Sequence, residues 1–337
     1  MPNAFITGLA GLDLLPAERS FLAATRPAGI ILFARNCQSH DQIRRLVGDS
    51  RNAIGSDHAL VLIDQEGGRV QRLPPPLGRA LPAAALYGAL YAADADGACS
   101  AAFLASRQTA ADLTALGINT NCAPVLDVPV TGSHNVIGNR AYSAATEQVA
   151  ALGAAVAGGL MAGGVLPVMK HIPGHGRGTA DSHHALPVVD TPCDVLEATD
   201  FAPFRALAHL PAAMTAHVRY SGIDAEHPAT TSAAVIDEVI RRSIGFDGLL
   251  MSDDISMKAL SGSVGESAAA ALAAGCDLVL HCNGVLAEME AVAANIPRLE
   301  GRARARLDAA LAVLQRSEPF EQQVAEAAIA RVLSVSV

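Results

Sequence analysis

The 337-residue sequence predicts a closed (β/α)8 barrel of parallel strands, and three observations carry that reading. Eight short apolar runs, each the length of a fully buried strand, recur from end to end. Between most of them lie amphipathic or alanine-rich segments long enough for a crossover helix. Polar residues collect just after the runs, where the carboxyl ends of barrel strands gather a site. A doubly wound open sheet is the alternative fold.

Strands are expected at Asn3–Thr7, Ala28–Phe33, Leu60–Ile63, Asn119–Ala123, Leu166–Met169, Ala212–Ala216, Gly248–Met251 and Asp277–Leu280. Helices are expected at Pro16–Thr25, Ser39–Ile54, Cys99–Leu116, Glu147–Ala162, Asp200–His209, Ala233–Ser243 and Gly265–Ala274. The segment Arg302–Val337 reads as extra helices outside the barrel, divided by Pro319. No linker or low-complexity run breaks the chain, so residues 1–337 are expected to form a single catalytic barrel domain. One charge-free span, Ala151–Met169, is long enough to suggest a membrane helix. Gly163–Gly164 splits it, so helix, turn and strand are expected instead.

Composition narrows the function classes. At 51% hydrophobic and 17% charged, the chain can build a large core. Net charge is −9 with no basic cluster, which argues against nucleic acid or an anionic membrane as partner. The six cysteines, Cys37, Cys99, Cys122, Cys193, Cys276 and Cys282, form no C-x-x-C pair and read as reduced thiols of an intracellular, cytoplasmic protein. The amino-terminal stretch lacks a basic n-region, so no signal peptide is expected.

Chemistry concentrates in Val165–Pro187, VLPVMKHIPGHGRGTADSHHALP. Lys170 and His171 end its apolar run, and a glycine-rich loop then delivers Asp181, His183 and His184. A carboxylate two residues from an imidazole can orient the ring and stabilise its charged form, which suits proton transfer near neutral pH. His175 and His184 are candidates for purely structural roles. No helix-like segment follows the glycines, so a nucleotide fingerprint is rejected. His171, His175, His183 and Asp181 are metal-ligand types, but Pro173 and Gly174 keep His171 and His175 off a common helix face. No metal or organic cofactor is expected.

Other strand ends contribute Asn36, the group Asp64, Glu66, Arg69 and Arg72, the pair His217 and Arg219, the run Ser252–Asp254, and His281 with Asn283. In IDQEGGRVQRL, Gly67–Gly68 permits a tight turn, so Asp64 can face the barrel mouth while Arg69 and Arg72 fold back toward it. Such a pair is either a salt bridge or a clamp on vicinal hydroxyls, with carboxylate accepting and guanidinium donating. NVIGNRAYS places Arg140 on a long loop after the fourth strand. In LLMSDDISM, Asp253 and Asp254 cannot both project the same way, so one is expected to face the mouth and the other to brace the structure.

Taken in order, IDQEGGRVQRL, KHIPGHGRGTADSHHALP and MSDDISM resemble glycoside hydrolase family three, specifically the bacterial β-N-acetylglucosaminidases of peptidoglycan recycling. The resemblance runs from ITGLAGLDL through the eighth strand and departs from the usual pattern at Ile172 and at Asn139–Tyr142. It implies a retaining mechanism through a covalent glycosyl-enzyme. By motif, Asp253 is the nucleophile, His183 the general acid/base and Asp181 its dyad partner. Sugar contacts fall on Asp64, Arg72, Arg140, Lys170 and His171. The implied substrate is a small amino-sugar glycoside, an anhydro-muropeptide by resemblance, with chitin fragments as the other aglycone. Three rival functions remain. They are a phosphorylase of the same glycosides, a Schiff-base aldolase or lyase using Lys170, and a sugar-binding protein without turnover.

Overall fold

A computed structural model describes residues 1–182, 185–315 and 318–335. Its strands are β1 (Asn3–Gly8), β2 (Pro27–Leu32), β3 (Leu60–Ile63), β4 (Gln65–Gly67), β5 (Val70–Gln71), β6 (Thr120–Asn121), β7 (Leu166–Pro167), β8 (Met169–Ile172), β9 (Val188–Val189), β10 (Ala212–Thr215), β11 (Arg219–Tyr220), β12 (Leu249–Asp254) and β13 (Leu278–His281). Nine of these form one parallel sheet in the order β7-β6-β3-β2-β1-β13-β12-β10-β8. Only Val168 separates β7 from β8, so the chain itself closes the ring. The fifth expected strand is thus divided: β7 pairs with β6, and β8 pairs with β10. Pro167 has no N–H to give a ladder, and the change of partner falls directly after it. The result is a nearly closed α/β barrel rather than an open doubly wound sheet.

The surrounding helices are α1 (Pro16–Thr25), α2 (His40–Ile54), α3 (Ala84–Ala93), α4 (Ala95–Thr114), α5 (Thr146–Ala162), α6 (Cys193–Ala198), α7 (Ala202–Ala206), α8 (Val264–Ala274), α9 (Leu286–Ala293), α10 (Gly301–Leu311) and α11 (Gln322–Leu333). Local chemistry fixes several ends. Pro16 opens α1, where its missing N–H costs nothing. Ser39 caps α2 by accepting from Gln42 N–H, and Gly55 closes it with φ 75°. Ser263 and Glu266 form a reciprocal capping box at α8. The stretch expected as helix at Asp200–His209 forms only the short α7, and Val235–Ser243 winds as a π-helix.

Along Ala151–Met169, α5 ends at Ala162, Gly164 turns with φ 73°, and β7 follows. Among the described residues no helix is long and apolar enough to cross a membrane. Every residue of β2 and β3 is buried, so the barrel interior and the helix–sheet layer share one apolar core. The carboxy-terminal α11 packs on α3 and α4, held by Arg331–Asp94 at 2.6 Å and Arg79–Glu326 at 2.7 Å.

Candidate active site

The carboxyl ends of the strands open into one cleft of about 580 Å³, lined among others by Asp64, Arg72, Arg140, Lys170, His171, Asp181 and Asp253. At its wall, β4 and β5 form an antiparallel hairpin turning through Gly67 (φ 105°) and Gly68 (φ 56°). Both glycines occupy the left-handed region that disfavours any side chain. The hairpin returns Arg72 to Asp64, Nη2 to Oδ2 at 2.9 Å. Arg69 goes elsewhere: its guanidinium donates to the carbonyls of Asn135, Val136 and Ile137 at 2.9, 2.6 and 3.1 Å. Both arginines return to line the cleft, but only Arg72 pairs with Asp64. Arg69 instead pins the long loop that carries Arg140.

Lys170, at 3% side-chain exposure, sits between two carboxylates. Its Nζ is 2.8 Å from Asp64 Oδ1 and 2.7 Å from Glu66 Oε1. Arg140 meets Glu66 as a fork, Nε to Oε2 at 2.8 Å and Nη2 to Oε1 at 2.9 Å. Three cations thus alternate with two acids in the chain Arg72–Asp64–Lys170–Glu66–Arg140. Burial pushes the Asp64 and Glu66 carboxyls up, but Lys170 and the two arginines outweigh it and hold both below their ordinary range. Burial would likewise strip Lys170 of its proton, and the same two acids hold its ammonium above its ordinary value.

A second cluster centres on Asp127, which is fully buried. Its Oδ2 lies 2.7 Å from His171 Nδ1, and its Oδ1 accepts the main-chain N–H of His175 at 2.6 Å and of His171 at 3.3 Å. Burial raises this carboxyl, yet His171 and His175 together hold it at about 2. The His175 ring stacks edge-on to His171 at 5.7 Å between centroids. Burial, then the neighbouring His171, push His175 down to about 4, so it is neutral at physiological pH.

The adjacent aspartates of β12 both line the cleft but differ in their partners. Asp254 is committed to the fold: Oδ1 accepts the N–H of Ser256 and of Cys282, each at 3.1 Å, and Oδ2 accepts the Ser256 hydroxyl at 2.7 Å. Asp253 faces the cleft and accepts the Asp254 N–H at 2.8 Å. Burial raises its carboxyl, but His217, His171, that N–H and Lys170 keep it below the usual range. His217 itself is fixed by Thr230 Oγ1 at 2.7 Å and by the Asp254 carbonyl at 2.9 Å.

Asp181 lines the same cleft, and the next residue, Ser182, is buried. The Ser182 carbonyl accepts Ala259 N–H at 3.2 Å, tying this loop to the segment after β12. His183 and His184 lie outside the described residues. Among the described residues no three His, Cys, Asp or Glu side chains are grouped as a metal ion would require. Not every strand-end polar residue belongs to the cleft. Asn36 is a loop brace, accepting Phe33 N–H at 2.9 Å and donating to Leu9 and Gly11 carbonyls at 3.1 and 2.8 Å. His281 and Asn283 converge on Glu288. Asp127 lies beyond the expected fourth strand, Asn119–Ala123, and so is not marked as a strand-end residue. The following Val125–Leu126 continues that segment, and Leu126 N–H bonds the Lys170 carbonyl at 2.7 Å.

An α/β barrel whose strand ends gather ionised carboxylates, cations and imidazoles around one open cleft suits a hydrolase of polar, hydroxyl-rich substrates. Residues 12–317 match the glycosyl hydrolase family 3 N-terminal domain, so the chain belongs to that family and is a glycoside hydrolase. More particularly, it is of the β-hexosaminidase kind. It is 41% identical to the beta-hexosaminidase of Alkalilimnicola ehrlichii over 280 residues, 82% of this chain and 79% of that protein. The beta-hexosaminidase of Chromobacterium violaceum is also 41% identical, over 82% of this chain and 77% of its own length. The crystal structure of native NagZ from Neisseria gonorrhoeae superposes with a TM-score of 0.88 at 34% identity, covering 99% of this chain and 98% of that one. The same protein has been solved with N-trifluoroacetyl-D-glucosamine, at a TM-score of 0.87.

Proposed function

We propose that the chain, acting as one catalytic unit, is a retaining β-N-acetylglucosaminidase that removes terminal N-acetylglucosamine from peptidoglycan fragments in the cytoplasm. The observation that carries the mechanism is the division of labour on β12. Both aspartates line the cleft, but the Asp254 carboxylate is taken up by Ser256 and Cys282, while Asp253 is held ionised and accepts the Asp254 N–H. An Asp253 oxygen attacks the anomeric carbon as the glycosidic C–O bond breaks, and the leaving oxygen takes a proton from His183. The imidazole then removes a proton from water, which attacks the same carbon and releases Asp253 as a carboxylate. Two inversions give net retention.

Asp64, Arg72, Arg140, Lys170 and His171 are assigned as sugar contacts. Their bonds to one another, to Glu66 and, for His171, to Asp127 pre-set the donors and acceptors before substrate arrives, which avoids reorganisation in the transition state. Asp181 is assigned to orient His183. A cytoplasmic site is consistent with six free cysteines. The Schiff-base reading is disfavoured, because Lys170 is an ammonium locked between two carboxylates rather than a free amine. Proton NMR of the first sugar released from an aryl N-acetyl-β-glucosaminide tests the proposal. The β-anomer is expected before mutarotation. An α-anomer would refute the double displacement, and turnover that requires phosphate would favour a phosphorylase.

A further inference from the structure

Asp127 commits both carboxylate oxygens within the protein, Oδ2 to one ring nitrogen and Oδ1 to two main-chain N–H groups. An ionised carboxylate has only acceptors, so the nitrogen facing it, His171 Nδ1, must carry the proton whatever the charge on the ring. The other nitrogen, Nε2, is then the one available to the cleft that His171 lines. We propose that Asp127 is a positioning residue for the reaction: it locks His171 with Nδ1 protonated and so presents Nε2 to a substrate hydroxyl. In the neutral ring Nε2 is an acceptor, able to take a hydrogen bond from that hydroxyl. The same carboxylate holds the His175 N–H, so one buried group fixes both the ring and the start of the glycine-rich loop. This inference rests on the assignment of His171 as a sugar contact.

The substitution that separates these duties is Asp127→Asn. Its side-chain oxygen still accepts the main-chain N–H groups, but its amide N–H now faces His171. The neutral ring must answer with a bare Nδ1 and a protonated Nε2, so the atom offered to the sugar changes from acceptor to donor. Long-range proton–nitrogen NMR on protein labelled at histidine nitrogens reads the tautomer directly, with His171 assigned by its loss in His171→Gln. Where the nitrogen shifts themselves show a neutral ring, the wild type is expected to show Nδ1 protonated and the variant Nε2 protonated. Wild-type protein with His171 protonated at Nε2 alone overturns the proposal, and that measurement needs no variant at Asp127 to fold.

Kinetics supply the second arm. Asp127→Asn is expected to lower kcat/KM by about 10- to 100-fold, the scale of one misdirected hydrogen bond to a charged or reacting group. In a His171→Gln background it is expected to add little, because the two act as a unit. An equal loss in both backgrounds would assign Asp127 to the loop alone and defeat the proposal. If instead His171→Gln leaves kcat and KM intact while the tautomers behave as stated, the sugar-contact assignment fails and the Asp127–His171 coupling stands.

Discussion

Lys170→Met removes the one cation that Asp64 and Glu66 share. The ammonium is 2.8 Å from the first and 2.7 Å from the second, and the three side chains are 3%, 14% and 7% exposed. Taking one partner from a buried ion pair costs about 3–5 kcal/mol, because the remaining charge is uncompensated. Each acid here keeps an arginine, Arg72 for Asp64 and Arg140 for Glu66, which places the expected loss near the lower bound. The pH dependence follows from the direction of the shifts. In the wild type both carboxyls are held below their ordinary values, so their contribution is present above about pH 4 and fades as pH falls through the folded value. Without Lys170, burial and mutual repulsion drive at least one of them upward. The folded variant then binds a proton at a pH where the unfolded chain is still ionised, which favours the folded state as pH falls. The stability gap to wild type should therefore narrow between about pH 7.5 and pH 5, with each pH unit of raised folded pKa worth about 1.4 kcal/mol. Urea denaturation at the two pH values measures both gaps. A gap that is constant, or that widens at the lower pH, would show that Lys170 is not what keeps this acid pair ionised.

Two further substitutions separate roles that neighbouring residues could confuse. Asp254→Asn loses part of the bracing at Ser256 and Cys282, and thermal or urea unfolding should record a loss of about 1–3 kcal/mol. The same preparation should retain far more turnover than Asp253→Ala, which should lose nearly all. His183→Ala should slow cleavage of a disaccharide by about 10²–10⁴-fold, yet spare glycosyl-enzyme formation from an activated aryl glycoside, whose leaving group needs little protonation. Pre-steady-state burst kinetics distinguish the two steps, and equal losses on both substrates would move the proton-transfer role to another residue.

The barrel was legible because its strands are apolar runs buried on both faces and its helices carry their stop signals. Pro16, Gly55 and the Ser263–Glu266 box each mark an end where the chain does turn. What escaped the sequence was set by ring closure or by distant carbonyls. The division at Pro167 exists because one segment must serve two neighbours, β6 and β10, and nothing local states which neighbours those are. The π winding of Val235–Ser243 leaves Val235, Ile236, Val239 and Ile240 buried, a spacing that reads equally as an ordinary helix. Arg69 and Arg72 look equivalent in IDQEGGRVQRL, but only the fold brings the Asn135–Ile137 carbonyls within reach of Arg69. Glu66 stood among the strand-end polar residues. Its place between Lys170 and Arg140 depends on loops far apart in the chain. Asp253 and Asp254, by contrast, were expected from sequence to take different roles, and their hydrogen-bond partners do differ, although both line the cleft.

In the proposed double displacement Asp253 becomes covalently bonded to the sugar. A slow fluorinated N-acetylglucosaminyl substrate should trap that intermediate, and mass spectrometry of the digested protein locates the added mass. Label is expected on the peptide containing Asp253, with fragment ions placing it on that residue and none on Asp254. Label on another carboxylate, or rapid turnover by Asp253→Ala, would contradict it.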